Sequence, residues 1–211
     1  MLFDMEVILR DYESKDYSQC ESLVNEAWEF DANFKPQALA DLAKQIYTKG
    51  SEINSNYMRV AEIDGDVAGF IFGLNKCRPK PRGNFLFGLK IMVKLFLVKP
   101  ILPASRKEIL SAFKTHEINR AKLVDRGKSE IVLFVVRKNF KGEGVGSRLW
   151  ADFLANCQES SVESIIVETN KDGAASFYER LGFDLIGYFE SPVHALAAAE
   201  GEACMYEYQC E

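Results

Sequence analysis

An α/β fold, with a mixed β-sheet flanked by helices, is what the sequence predicts, and three stretches carry that prediction. The first is Glu130–Trp150, EIVLFVVRKNFKGEGVGSRLW. An unbroken apolar run, Ile131–Val136, reads as a strand buried on both faces. A polar turn with glycines at 142, 144 and 146 follows, and then Leu149, Trp150, Phe153, Leu154 and Cys157 fall on one helical face. The second is Val162–Phe183, a strand over Val162–Asn170 and a short helix over Lys171–Phe183 that Gly182 closes. The third is NYMRVAEIDGDVAGFIFGLN, two β-rich runs around Asp64-Gly65, a pair that tolerates positive φ in a tight hairpin turn.

The remaining elements follow in order. Glu6–Arg10 is a short strand. Ser14–Phe30 has Cys20, Leu23, Val24, Ala27 and Trp28 at helical spacing, and Pro36–Lys49 repeats the pattern with Pro36 suited to a first turn. Asp184–Phe189 and Ala203–Gln209 are closing strands joined by a loop over Glu190–Gly201. At 211 residues and 47% hydrophobic content, 1–211 makes one domain with a sizeable core.

Residues 76–129 stand apart. A basic Pro/Gly loop, KCRPKPRGN, leads into FLFGLKIMVKLFLVKPILP, apolar apart from Lys90, Lys94 and Lys99. Those lysines and Pro100 argue against a membrane span. The apolar face is too broad for a typical helix lying on a membrane, so Phe85–Leu102 is expected to be buried against the domain or a second copy of it. Ser105-Arg106-Lys107-Glu108 reads as a capping box, which starts a second helix there and runs it to about Asp125.

The strand, glycine loop and helix of Glu130–Trp150 would aim backbone N–H groups and a helix dipole at one point, a site for an anion, most often phosphate. It is not a P-loop, because Gly146 is followed by Ser147 and Arg148. Nor is it a dinucleotide fingerprint, whose sixth position would be Ser147 or Leu149. Lys141-Gly142-Glu143-Gly144-Val145-Gly146 instead resembles the pyrophosphate loop of the GNAT superfamily of acyl-CoA-dependent N-acyltransferases, Arg/Gln-x-x-Gly-x-Gly/Ala, with Lys141 departing from the first position. Asn170, Ala174 and Phe177-Tyr178-Glu179-Arg180-Leu181-Gly182-Phe183 resemble the family's second block. The resemblance covers 5–75 and 130–209, and makes 76–129 a helical insertion ahead of the CoA-binding strand.

That resemblance implies direct transfer of an acetyl group from acetyl-CoA to an amine in a ternary complex. It places the cofactor against Val135, Val136, Arg137, Lys141 to Ser147 (through Gly142, Glu143, Gly144, Val145 and Gly146), Asn170, Phe177 and Tyr178. Main-chain N–H groups at Val135–Arg137 would meet the oxyanion, and Tyr178 would act as general acid toward the thiolate. Glu130, Glu168 and Glu62 are the carboxylates able to serve as base. His116 and His194 read as surface or packing residues. The insert and the first two helices would shape the acceptor pocket. The alternative is an acyl-CoA-binding sensor or interaction module without turnover.

The net charge of −5 gives the whole chain no reason to seek nucleic acid or an anionic membrane. Five cysteines without CxxC spacing fit reduced thiols, and MLFDMEVILRD has neither the basic start nor the apolar run of a secretory signal. A cytoplasmic enzyme without metal, and with a homodimer open to it, is the expectation.

Overall fold

The computed structural model describes residues 6–79, 85–97, 103–124, 127–170, 173–197 and 202–210. Seven strands form one sheet: β1 (Ile8–Asp11), β2 (Tyr57–Ile63), β3 (Asp66–Leu74), β4 (Ser129–Val136), β5 (Ser164–Asn170), β6 (Asp184–Glu190) and β7 (Glu202–Gln209). Their spatial order is β1-β2-β3-β4-β5-β7-β6, antiparallel throughout except for β4 beside β5. That one parallel pair needs a crossover, and the helix after the glycine loop supplies it. The β2–β3 hairpin turns on Asp64 and Gly65, both at positive φ (52° and 86°), as the sequence predicts.

Helices cover both faces. α1 (Tyr17–Trp28), α2 (Phe30–Asn33) and α3 (Gln37–Asn54) bury Cys20, Leu23, Val24, Phe30 and Ala40 against Val60, Phe70, Phe72, Leu133 and Val135. On the opposite face α6 (Val145–Glu159) and α7 (Ala175–Arg180) bury Leu149, Trp150, Phe153 and Tyr178 against Ile71, Ile131, Ile165 and Val167. Gly73 makes this contact possible, since a Cβ there would sit 2.5 Å from the Phe153 ring. A smaller cluster of Val124, Ile166, Phe189, Ala203 and Met205 fills the far half of the first face.

Four expectations need correction. The helix over Ser14–Phe30 is broken, because Glu29 turns left-handed (φ 54°) and separates α1 from α2. The loop before β7 holds a further helix, α8 (Pro192–Ala197). Helix α5 (Pro103–Arg120) begins two residues before Ser105, which therefore lies within its first turn and not at its cap. The largest departure, from the expected burial against the domain itself, is α4 (Phe85–Leu97). Among its described side chains Leu95 is buried, and Lys94 Nζ donates to Gln45 Oε1 of α3 at 2.6 Å. Leu86, Leu89, Val93 and Leu97 face outward, 71%, 51%, 48% and 71% exposed. Residues 98–102, 125, 171–172 and 198–201, which also enter these expectations, lie outside the described residues.

At the β1 end a small ion network ties the first strand to α1. Arg10 grips Asp16 with both terminal nitrogens (2.7 and 2.9 Å) and gives its Nε to Glu62 at 2.7 Å. Asp16 is 2% exposed. The Arg10 hydrogen bond holds its carboxyl below the ordinary value, against the opposing push of burial. Asp16→Asn leaves the guanidinium facing a neutral amide, and the expected cost is about 2–3 kcal/mol, read as a fall of roughly 5–10 °C in the melting temperature. A melting temperature equal to wild type, followed by circular dichroism at neutral pH, would show that the network holds nothing together.

Candidate active site

Two features of β4 and its sequel build the site. Between Arg137 and Gly144 the chain makes a tight polar turn, with Phe140 N–H donating to Arg137 O (3.0 Å) and Glu143 N–H to Phe140 O (3.3 Å). Gly142 and Gly144 lie at φ 93° and 78°, a region that a side chain resists, and Gly144 caps α6. The first bond of that helix runs from Arg148 N–H to Gly144 O at 3.0 Å, so the N–H groups of Val145, Gly146 and Ser147 point out along the axis. A hollow of about 290 Å³ lies over them, walled by Phe177 and by Arg180, whose guanidinium adds a formal positive charge. Lys141 and Glu143 are exposed and do not line it, and Val145 contributes backbone only, its side chain being in the core.

The second feature is a gap in the sheet. β4 pairs with β5 only from Ser129 to Ile131, against Ile165 to Val167. Just beyond, the β3–β4 register skips Val132, a bulge that bends β4 away from β5. The bulge also reverses the facing: Ile131 packs toward α6, while Leu133 and Val135 pack toward α1 and α3. Between the diverging strands opens a cleft of about 860 Å³, lined from Gly142 and Gly146 past Phe134–Val136 and Asn170 to Trp28 and Tyr47. Of the three N–H groups expected to face it, Arg137's donates to Ala68 O at 2.8 Å. Ladder alternation turns Val135's the same way, and leaves Val136's aimed into the gap. The Arg137 side chain turns back to Val67 O, at 3.0 Å.

Glu130 and Glu168 line this cleft, joined by residues that the sequence reading set aside. Arg120, the last residue of α5, donates to Glu130 Oε1 at 2.6 Å and to Glu168 Oε2 at 3.1 Å. His194 of α8 reaches Glu168 Oε1 at 2.9 Å, and His116 of α5 stands 3.7 Å from Glu168 Oε2. His116 Nδ1 bonds Ser191 Oγ at 2.9 Å, and the two imidazoles stack 6.1 Å apart. The environments push the two carboxyls in opposite directions. Burial drives Glu130 upward and Arg120 opposes it only in part. Burial also presses on Glu168, but the His194 hydrogen bond and the charges around it outweigh that and hold it low. His116 and His194 are thus members of the site. They are 78 positions apart, and no local pattern joins them. Glu62 is excluded: it lies on β2, paired with Arg10 and away from the cleft.

Tyr178 is buried and also lines the cleft, its ring edge-on to Phe177 and Phe183 at 5.4 Å each. Burial pushes its phenol above the ordinary value. Phe177 links the two hollows, packing against Phe134 (5.6 Å) and lying 3.2 Å from where a Cβ on Gly146 would stand.

With this geometry in place, the sequence model of the Acetyltransferase (GNAT) domain family matches residues 78–188, which include α4, α5 and the glycine loop. Solved structures of the same fold cover nearly the whole chain. PH1933 from Pyrococcus horikoshii OT3 is 15% identical, with 98% of this chain and 99% of that one covered and a TM-score of 0.60. The ribosomal-protein-S18-alanine N-acetyltransferase of Escherichia coli is 11% identical, with 98% and 95% covered and a TM-score of 0.58. An acetyltransferase of the GNAT family from Staphylococcus aureus Mu50 is 12% identical, with 98% and 100% covered and a TM-score of 0.57. No curated protein matches the sequence.

A carboxyl held low in the folded state stabilises it above the unfolded pKa of about 4.3, and that contribution is lost as pH falls through the folded value. Glu168→Gln is therefore expected to lower the melting temperature at pH 7, with the gap to wild type closing in acid. A gap that widens as pH falls would contradict the direction assigned to Glu168.

Proposed function

The chain belongs to the GNAT acetyltransferase family, with acetyl-CoA as cosubstrate, and we propose that it moves the acetyl group directly to an amine bound beside Glu168 and His194. The observation that carries this reading is the single cleft that runs from the α6 N-terminus to that polar cluster. At one end the N–H groups of Val145–Ser147, with Arg180 beside them, suit the CoA pyrophosphate. The pantetheine arm lies in the gap between β4 and β5, where Val136 N–H can meet the developing oxyanion.

The acceptor enters as an ammonium with a pKa of about 10 and must lose a proton before it attacks. Glu168, held as a carboxylate, takes that proton directly or through His194, and Arg120 keeps both carboxylates oriented. The nitrogen then forms its bond to the thioester carbon, and the C–S bond breaks. Burial keeps the Tyr178 phenol protonated. Full transfer of that proton to a thiolate of pKa about 8.5 runs uphill. Its contribution is a hydrogen bond to the departing sulfur, which finally takes the second proton of the amine.

Steady-state release of CoA, measured with a thiol reagent across a panel of amines, tests the reading, and absence of turnover with every class of amine would count against it. Tyr178→Phe is expected to lower kcat about 10- to 100-fold, the worth of a hydrogen bond to a charged group, with acetyl-CoA affinity nearly unchanged. Wild-type turnover under chemistry-limited conditions would remove the phenol from the mechanism. Gly144→Ala, which puts a Cβ on a residue at φ 78°, is expected to disturb the pyrophosphate end and weaken acetyl-CoA binding about tenfold. Unchanged affinity by calorimetry would mean that the phosphates bind elsewhere.

A further inference from the structure

We propose that the outer face of α4 docks on an anionic lipid surface, independently of the chemistry in the cleft. The motif is one that neither core nor cleft uses. Leu86, Leu89, Val93 and Leu97 recur at helical spacing, so they form one continuous stripe, and all four are exposed. The helix cannot turn that stripe inward, because its other side is already engaged with α3. Leu95 is buried, Lys94 is bonded to Gln45, and the Phe87 ring lies 3.9 Å from the position a Cβ on Gly50 would take. Soluble proteins seldom leave such a stripe in water without a partner for it.

Charge says what that partner is. Residues 76–107 contain nine Lys or Arg and no Asp or Glu, leaving 17 basic and 31 acidic residues in the rest of the chain. The overall charge of −5 therefore conceals a run of sequence, basic and free of acids, that contains the apolar stripe, with Lys90 exposed on the same helix. A second copy of the chain meeting this one across a two-fold axis would set like charge against like charge. An anionic lipid surface neutralises them, while its acyl boundary takes up the leucines. Among the described residues no helix is long and apolar enough to cross a membrane, and α4 has 13 residues, so the contact is peripheral.

The test is co-sedimentation of the full chain with vesicles of phosphatidylcholine, alone or mixed with phosphatidylserine. Binding is expected only to the mixed vesicles, and should disappear at about 1 M salt, where charges are screened within about 3 Å. Lys90→Gln should weaken it about fivefold. The double change Leu89→Glu and Val93→Glu should weaken it at least tenfold while leaving the melting temperature unchanged, since both side chains face outward. If that double variant fails to fold, Lys90→Gln and the salt series still decide. No sedimentation with the mixed vesicles, or binding indifferent to Lys90→Gln and salt, would overturn the proposal. A dimer in solution that the double variant splits, without lipid binding, would overturn it in favour of a second copy.

Discussion

The parting of β4 from β5 is the constraint on which everything functional depends. Three residues of parallel pairing, Ser129–Ile131 with Ile165–Val167, are enough to hold the two halves of the sheet in register. Beyond them the bulge at Val132 releases the edge of β4. An opened sheet ordinarily exposes unpaired backbone groups at a cost. Here those groups line a cleft, and one of them, Val136 N–H, points where a polar atom of a ligand would lie. The same bulge reverses the facing of the strand, so that Phe134 and Val136 wall the gap while Leu133 and Val135 seal the core behind it.

The polar cluster follows from the gap in a second way. Glu130 and Glu168 come from the two strands that flank it, and two half-buried carboxylates so placed would repel each other. Arg120 answers by bridging both, and His194 shares Glu168. The result is asymmetric, with Glu130 pushed up and Glu168 held down. Such a separation keeps one carboxylate charged at neutral pH while disfavouring charge on its neighbour. Helix α5 brings His116 and Arg120 to that place, and α8, with Ser191 just before it, brings His194.

The pair α4 and α5 lies within the stretch that the family model matches, and the two helices face different ways. α5 turns its C-terminal end into the cleft. α4 rides on the back of α3, buries Leu95 there, and turns Leu86, Leu89, Val93 and Leu97 to the outside. A helix of such composition is normally buried on all sides. Its single-sided packing here reflects geometry: α3 already covers the sheet, and α4 can reach only the outer surface of α3.

The succession of strands along the chain, the Asp64-Gly65 hairpin and the glycine loop ahead of α6 were all legible in the residues, because each is a local matter of periodicity, turn chemistry or conformational freedom. Tyr178 was singled out by the resemblance of its block to a known family, and the structure puts it in the wall of the cleft. Other features needed the third dimension. The break at Glu29 shows only in the left-handed turn of its backbone, and α5 starts early at Pro103, a residue suited to a first turn. The choice of Val136 among three candidate N–H groups depends on which partner strand takes the other two. His116 and His194 looked ordinary because their significance lies in meeting Glu168 across 52 and 26 residues of chain. Sequence patterns register what neighbours along the chain do to one another. A cluster assembled from α5, β4, β5 and α8, and a helix face left uncovered for want of anything to cover it, are decided only when the chain has closed on itself.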